Sequence, residues 1–220
     1  DSRFDRDEYS SLNEVNQDLF ILLGGRNSCS DSPAPFGQDP YGPLRGLIGD
    51  VSTEQNIVKT IISCYGTDDR VKHVIDGDDS GKLTVDSMND FHKRLGTFIE
   101  ANEFNRIILI GYSYGGWLSM KTALIIDSPI HSFYTLDPIS RATCPSAGGC
   151  TEAPRDISYS ERTTISEKSD LWVNFYQKSG FVHSSNIPQA DENIRIRTSH
   201  RKIDTHSIVW NHIKNRAMRM

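Results

Sequence analysis

Arg106-Ile107-Ile108-Leu109-Ile110-Gly111-Tyr112-Ser113-Tyr114-Gly115-Gly116 is the stretch on which the reading of the fold turns. An apolar run of strand length meets Gly-x-Ser-x-Gly, and a helix-compatible segment, residues 115–127, follows. Glycines two residues either side of Ser113 remove side chains that would clash where a strand turns sharply into a helix. Such a turn lifts the serine Oγ above the sheet. The five-residue pattern is common by itself, and the alternative is an ordinary glycine-rich β–α turn. Its flanking strand and helix make a nucleophile elbow the favoured reading.

Outward from this corner, apolar runs alternate with helical patterns, the signature of βαβ units and a mainly parallel sheet. Strands are expected at Leu19–Leu23, Val58–Cys64, Arg106–Ile110, Ser132–Leu136, Leu171–Tyr176 and Asn193–Arg197. Helices are expected at Leu44–Asn56, Asp86–Asn102, Gly115–Asp127 and His206–Arg216. Phe91, Leu95, Phe98 and Ile99 line one face of the second. Arg26–Pro43, Thr67–Thr84 and Ile139–Lys168 read as loops, rich in Gly and Pro, in Asp, and in Ser, Thr and Pro respectively. The expected architecture is one three-layer α/β domain over residues 1–220 with a mainly parallel sheet of about six strands. That length suits a single core without a metal or disulfide staple.

From about Glu103 to His212, with a weaker match at Leu22–Arg26, the chain resembles the α/β-hydrolase family, and its lipases and esterases in particular. The resemblance implies a serine nucleophile, an acid after a later strand, and a histidine last. Ser113 is then the nucleophile. Asp137, in Phe133-Tyr134-Thr135-Leu136-Asp137-Pro138, ends the very next strand, like the Leu-Asp-Pro turn of pancreatic-type lipases. A turn aspartate holding local N–H groups is the plainer alternative, and Asp170 and Asp204 are rival acids. His206, at the start of the last helix, is the expected base, with His200 its nearest rival and His183 and His212 behind. The oxyanion hole is expected from the backbone N–H of Tyr114 and from Gly25 or Arg26, after the first strand. Tyr112 and Tyr114 flank the elbow and are the candidate substrate contacts. Trp172, Phe175 and Tyr176 are expected in the core.

A formal net charge of −5 argues against a nucleic-acid binder. Residues 1–20 hold six acids against two bases, and residues 193–220 seven bases against one acid. Solvated faces explain this; a basic last helix in peripheral contact with anionic membrane is the sharper alternative. Cys144 and Cys150 bracket a flexible loop whose ends can meet, so a disulfide is expected, and with it a secreted or periplasmic chain rather than a cytoplasmic one. Cys29 and Cys64 could form a second bridge. The Asp1-Ser2-Arg3-Phe4 start, without Met or signal segment, fits a processed or trimmed chain and says little about targeting. Asp76–Leu83 matches half of a calcium loop, but Ser87 stands where a bidentate Glu belongs, so a solvated acidic turn is preferred. No cofactor or metal is expected.

The expected activity is cleavage of a carboxylic ester, of a lipid or other acyl group, through an acyl-serine intermediate. The other readings are a lipase-like toxin or effector acting on membranes, a thioesterase, acyltransferase or amidase, and a binding protein that kept the fold without catalysis.

Overall fold

Leu19–Leu23 run through the middle of the molecule with no solvent exposure at any of the five positions. A strand can bury every residue only if both faces are covered, and its side chains then part alternately. Leu19, Ile21 and Leu23 enter one core cluster, and Phe20 and Leu22 the other. The computed structural model describes residues 17–26, 57–65, 71–75, 83–85, 88–101, 104–144 and 149–217. The expected helix at Leu44–Asn56, Cys29 and residues 76–82 of the Asp76–Leu83 acidic loop lie outside them.

Among the described residues eight strands form one sheet: β1 (Gln17–Arg26), β2 (Ile57–Tyr65), β3 (Val71–Ile75), β4 (Leu83–Val85), β5 (Arg106–Tyr112), β6 (Ser132–Leu136), β7 (Trp172–Tyr176) and β8 (Glu192–Arg195). Their order is β4-β3-β2-β1-β5-β6-β7-β8. The six from β2 to β8 are mutually parallel, and β3 and β4 add an antiparallel edge. All six expected strands are present. The β3–β4 pair corrects the expectation of a Thr67–Thr84 loop: Val71, Val74 and Ile75 supply strand formers between the acidic residues.

Among the described residues four helices cover the sheet: α1 (Met88–Glu100), α2 (Tyr114–Ile125), α3 (Tyr159–Lys168) and α4 (Ser207–Ala217). Leu95 and Ile99 of α1, Leu118, Met120 and Ala123 of α2, and Ile165 of α3 pack on one face. Val209 and Ile213 of α4 pack on the other, making three layers. α3 falls inside the expected Ile139–Lys168 loop. Only Ile165 of its residues is buried, so it shows no apolar stripe, but a capping box starts it: Glu161 N–H donates to Ser158 Oγ, and Ser158 N–H to Glu161 Oε2. None of the described helices is long and apolar enough to cross a membrane.

At the amino end of the sheet, Arg106 of β5 donates through Nε and Nη2 to the buried Asp18 carboxylate of β1. That fork ties the two central strands in register, and the hydrogen bond to Asp18 holds the guanidinium above its ordinary pKa.

Candidate active site

Strands β1 and β5 are neighbours from which the chain proceeds to opposite edges of the sheet. In open α/β sheets the crevice at the carboxyl ends of such a pair is where ligands bind, because successive loops diverge there. Ser113 follows β5 at this point, and Gly25 nears the end of β1. A Cβ on Gly25 would stand 3.0 Å from Ser113 Cβ and 3.4 Å from its Oγ, so a side chain there would crowd the serine.

Ser113 has φ 59° and ψ −123°, a region that L-residues rarely occupy. Surrounding contacts hold it there. Ser113 N–H donates to Leu136 O, Ser113 O accepts from Gly116 N–H, and Ile139 N–H reaches the same oxygen. The serine occupies the N-cap position of α2, yet its hydroxyl caps nothing. It faces His200 instead.

The glycines of the motif make the corner sterically feasible. A Cβ on Gly115 would fall 2.0 Å from Leu23 O and 2.4 Å from Gly24 O, both rigid backbone. On Gly111 it would fall 2.3 Å from Ser119 Oγ, and on Gly116 2.7 Å from Pro138 Cβ. Gly115→Ala should therefore destabilise the fold by about 3 kcal/mol or more, read as a lowered thermal midpoint. A neutral result would mean that α2 does not press on β1 as described.

Asp137 also has a positive φ, 47°, and no exposure. Its Oδ1 accepts from Ser184 N–H at 2.7 Å and Gln177 N–H at 3.3 Å. Its Oδ2 accepts from Gln177 Nε2 at 2.8 Å and lies 2.6 Å from His200 Nδ1. The other imidazole nitrogen, Nε2, lies 2.9 Å from Ser113 Oγ. Serine, imidazole and carboxylate thus form a continuous hydrogen-bonded line. With Nδ1–H donated to the carboxylate, the lone pair of Nε2 faces the serine hydroxyl.

The histidine in this line is His200, not the expected His206. After β8 ends at Arg195, a 3₁₀ turn at His200–Lys202 brings its first residue to the sheet edge. His206 lies beyond it, at the mouth of α4, where its Nδ1 accepts from Ile208 N–H at 3.3 Å. It serves the helix end. His183 Nδ1 lies 2.9 Å from Ser184 O, and His212 packs edge-on against Phe175.

Tyr112, expected at the substrate, lies behind the imidazole instead. Its hydroxyl donates to His200 O at 2.8 Å, and the two rings stand 5.3 Å apart. Burial pushes this phenol far above its ordinary pKa, so it remains a donor. Tyr114 is the first residue of α2, directly after the serine, and Arg26 closes β1 past a register shift that begins at Leu23. Asp170, one rival acid, pairs with His131 at 3.4 Å.

Asp204, the other rival, is buried, and its Oδ1 has no hydrogen-bond partner. Burial raises its carboxyl from 3.8 to about 6. A folded pKa above the unfolded one means stability that is complete below about 4 and lost as pH rises through about 6. Asp204→Asn should thus gain on the order of 2 kcal/mol over wild type between pH 4 and pH 8. Denaturant midpoints at both pH values would read this, and a pH-independent difference would refute it.

The Sγ atoms of Cys144 and Cys150 are bonded at 1.99 Å. Cys150 also bridges Val182: Cys150 N–H donates to Phe181 O and His183 N–H to Cys150 O, both at 2.7 Å. Among the described residues no group of three His, Cys, Asp or Glu side chains could hold a metal ion.

No family model and no curated protein matches this sequence. Solved structures do. An alpha/beta superfamily hydrolase from Oenococcus oeni aligns over 90% of this chain and 90% of its own, with a TM-score of 0.50 at 12% identity. ClbQ from the colibactin NRPS/PKS pathway covers 91% of this chain and 96% of its own, with a TM-score of 0.49 at 13% identity. A lipase-esterase related protein from Clostridium acetobutylicum covers 91% and 94%, with a TM-score of 0.46 at 13% identity. The chain has the α/β-hydrolase fold.

Proposed function

We propose that this protein is a serine hydrolase that cleaves carboxylic esters, with Ser113 as nucleophile, His200 as base and Asp137 as the acid that orients it. The observation that carries the reading is the line Ser113 Oγ, His200 Nε2, His200 Nδ1, Asp137 Oδ2, closed at 2.9 and 2.6 Å. It lies where the sheet's topology opens a crevice.

The chemistry follows from that line. His200 Nε2 takes the hydroxyl proton as Ser113 Oγ attacks the ester carbonyl, and Asp137 stabilises the imidazolium. The tetrahedral oxyanion is met by the N–H of Tyr114, at the positive end of α2, and by that of Gly25 or Arg26. Collapse breaks the ester C–O bond, and His200 returns its proton to the departing alkoxide. Water, deprotonated by the same imidazole, then releases the acid from the acyl-serine.

An acyl or lipid ester is the preferred substrate class, since Asp137 occupies the lipase-like position. A thioester or an acyl acceptor other than water would use the same groups. The Cys144–Cys150 bond favours an oxidising compartment.

A fluorophosphonate probe tests the reading, because only an activated serine reacts fast. The adduct should map to Ser113 and be absent from Ser113→Ala. Ester and thioester series of increasing acyl length, with and without anionic vesicles, would then separate lipase, esterase and thioesterase. A wild-type chain that takes no label is not a serine hydrolase.

A further inference from the structure

Each carboxylate oxygen of Asp137 is shared between two donors. A carboxylate has about four acceptor positions, and in this fully buried one all are filled: two by backbone N–H groups on Oδ1, two by His200 and the Gln177 amide on Oδ2. The side chain that competes with the base for Oδ2 is therefore Gln177, itself without exposure.

The orientation of that amide is determined by its surroundings. Its Oε1 accepts from Ser179 N–H, and Nε2 also donates to Val182 O at 2.8 Å. Turned over, the oxygen would confront two acceptors, Asp137 Oδ2 and Val182 O, and the nitrogen would confront a donor. Only one orientation satisfies all three partners. Val182 in turn is fastened by its bridge to Cys150, which is bonded to Cys144. The amide is thus held from both sides.

We infer that Gln177 is a positioning residue, which fixes the Asp137 carboxylate toward His200 and moderates how tightly that carboxylate holds the protonated imidazole. This rests on the triad proposed above. A hydrogen bond donated to Oδ2 spreads its negative charge. Without it the carboxylate attracts the imidazolium more strongly, and the imidazole gives up its proton less readily. The acyl-transfer cycle needs that proton released at each half-reaction.

The experiment measures the pH dependence of fluorophosphonate labelling in wild type, Gln177→Met and Gln177→Glu, with thermal unfolding run in parallel. Methionine fills a similar volume and donates nothing. Its plateau rate should fall about 10- to 100-fold, and the midpoint of its acid limb should move to higher pH. A glutamate there donates an O–H only while protonated. Beside Asp137 its carboxyl titrates late, so the ratio of the Glu variant's rate to the Met variant's should fall as pH rises.

A purely structural role would lower the plateau only in proportion to the folded fraction and leave the midpoints unmoved. A folded Met variant with wild-type midpoint and plateau overturns the inference while the hydrolase reading stands. If the Met variant does not fold, a Glu variant whose profile superimposes on wild type overturns it equally. A wild type that never labels removes the triad, and this inference with it.

Discussion

Replacing His200 by alanine should lower turnover of an activated ester by about 10⁶-fold, as far as Ser113→Ala does, and the double variant should fall no further. In the proposed reaction nucleophile and base act in one step: without Nε2 at 2.9 Å the hydroxyl proton has nowhere to go, and without the hydroxyl the base has nothing to activate. Losses from such a unit do not add. His206→Ala should stay within a few-fold of wild type, because its ring serves the α4 end, where Nδ1 accepts from Ile208 N–H. Steady-state kinetics on the four variants and wild type, with circular dichroism to establish folding, reads the contrast. A large loss at His206 beside a small one at His200 would reverse the assignment.

Asp137→Asn should cost about 10⁴-fold in kcat at nearly unchanged fold. Ser184 N–H and Gln177 N–H both point at the position of Oδ1, so the new amide must put its oxygen there. Its NH₂ group then faces His200 Nδ1. A donor at that place forces the ring proton onto Nε2, and the nitrogen facing Ser113 loses the lone pair it needs. The NH₂ also opposes the side-chain Nε2–H of Gln177, which formerly donated to Oδ2. A loss below tenfold would show that the carboxylate does not set the imidazole tautomer.

These expectations rest on residues that differ greatly in how legible they are in the chain. Ser113 and its glycines could be read directly, because the strained corner needs small neighbours at fixed offsets. Gly115 against Leu23 O shows how little room that corner leaves. Asp137 was legible through Pro138 and the strand before it. Gln177 belongs to no motif: its amide meets Asp137 only because β6 and β7 pair in parallel, Leu136 beside Phe175. Asp204 was conspicuous in the sequence as a rival acid, but one buried carboxylate oxygen left without a partner is a property of the packed state alone.

Local order along the chain therefore determined the six parallel strands, the order of helices α1, α2 and α4 where they are described, and the corner that presents Ser113. A strand buried on both faces must be apolar throughout, and a tight turn must be glycine-rich, so these features are written in consecutive residues. Tertiary structure decided which imidazole completes the line. His200 and His206 both follow the last strand, and the deciding 3₁₀ turn at His200–Lys202 leaves no periodic trace in three residues. It also decided α3, whose single buried Ile165 shows no stripe, and the β3–β4 hairpin, which lies at the sheet's edge beside β2. Distance along the chain says little about distance in space, and a hydrogen bond of 2.9 Å depends on the second.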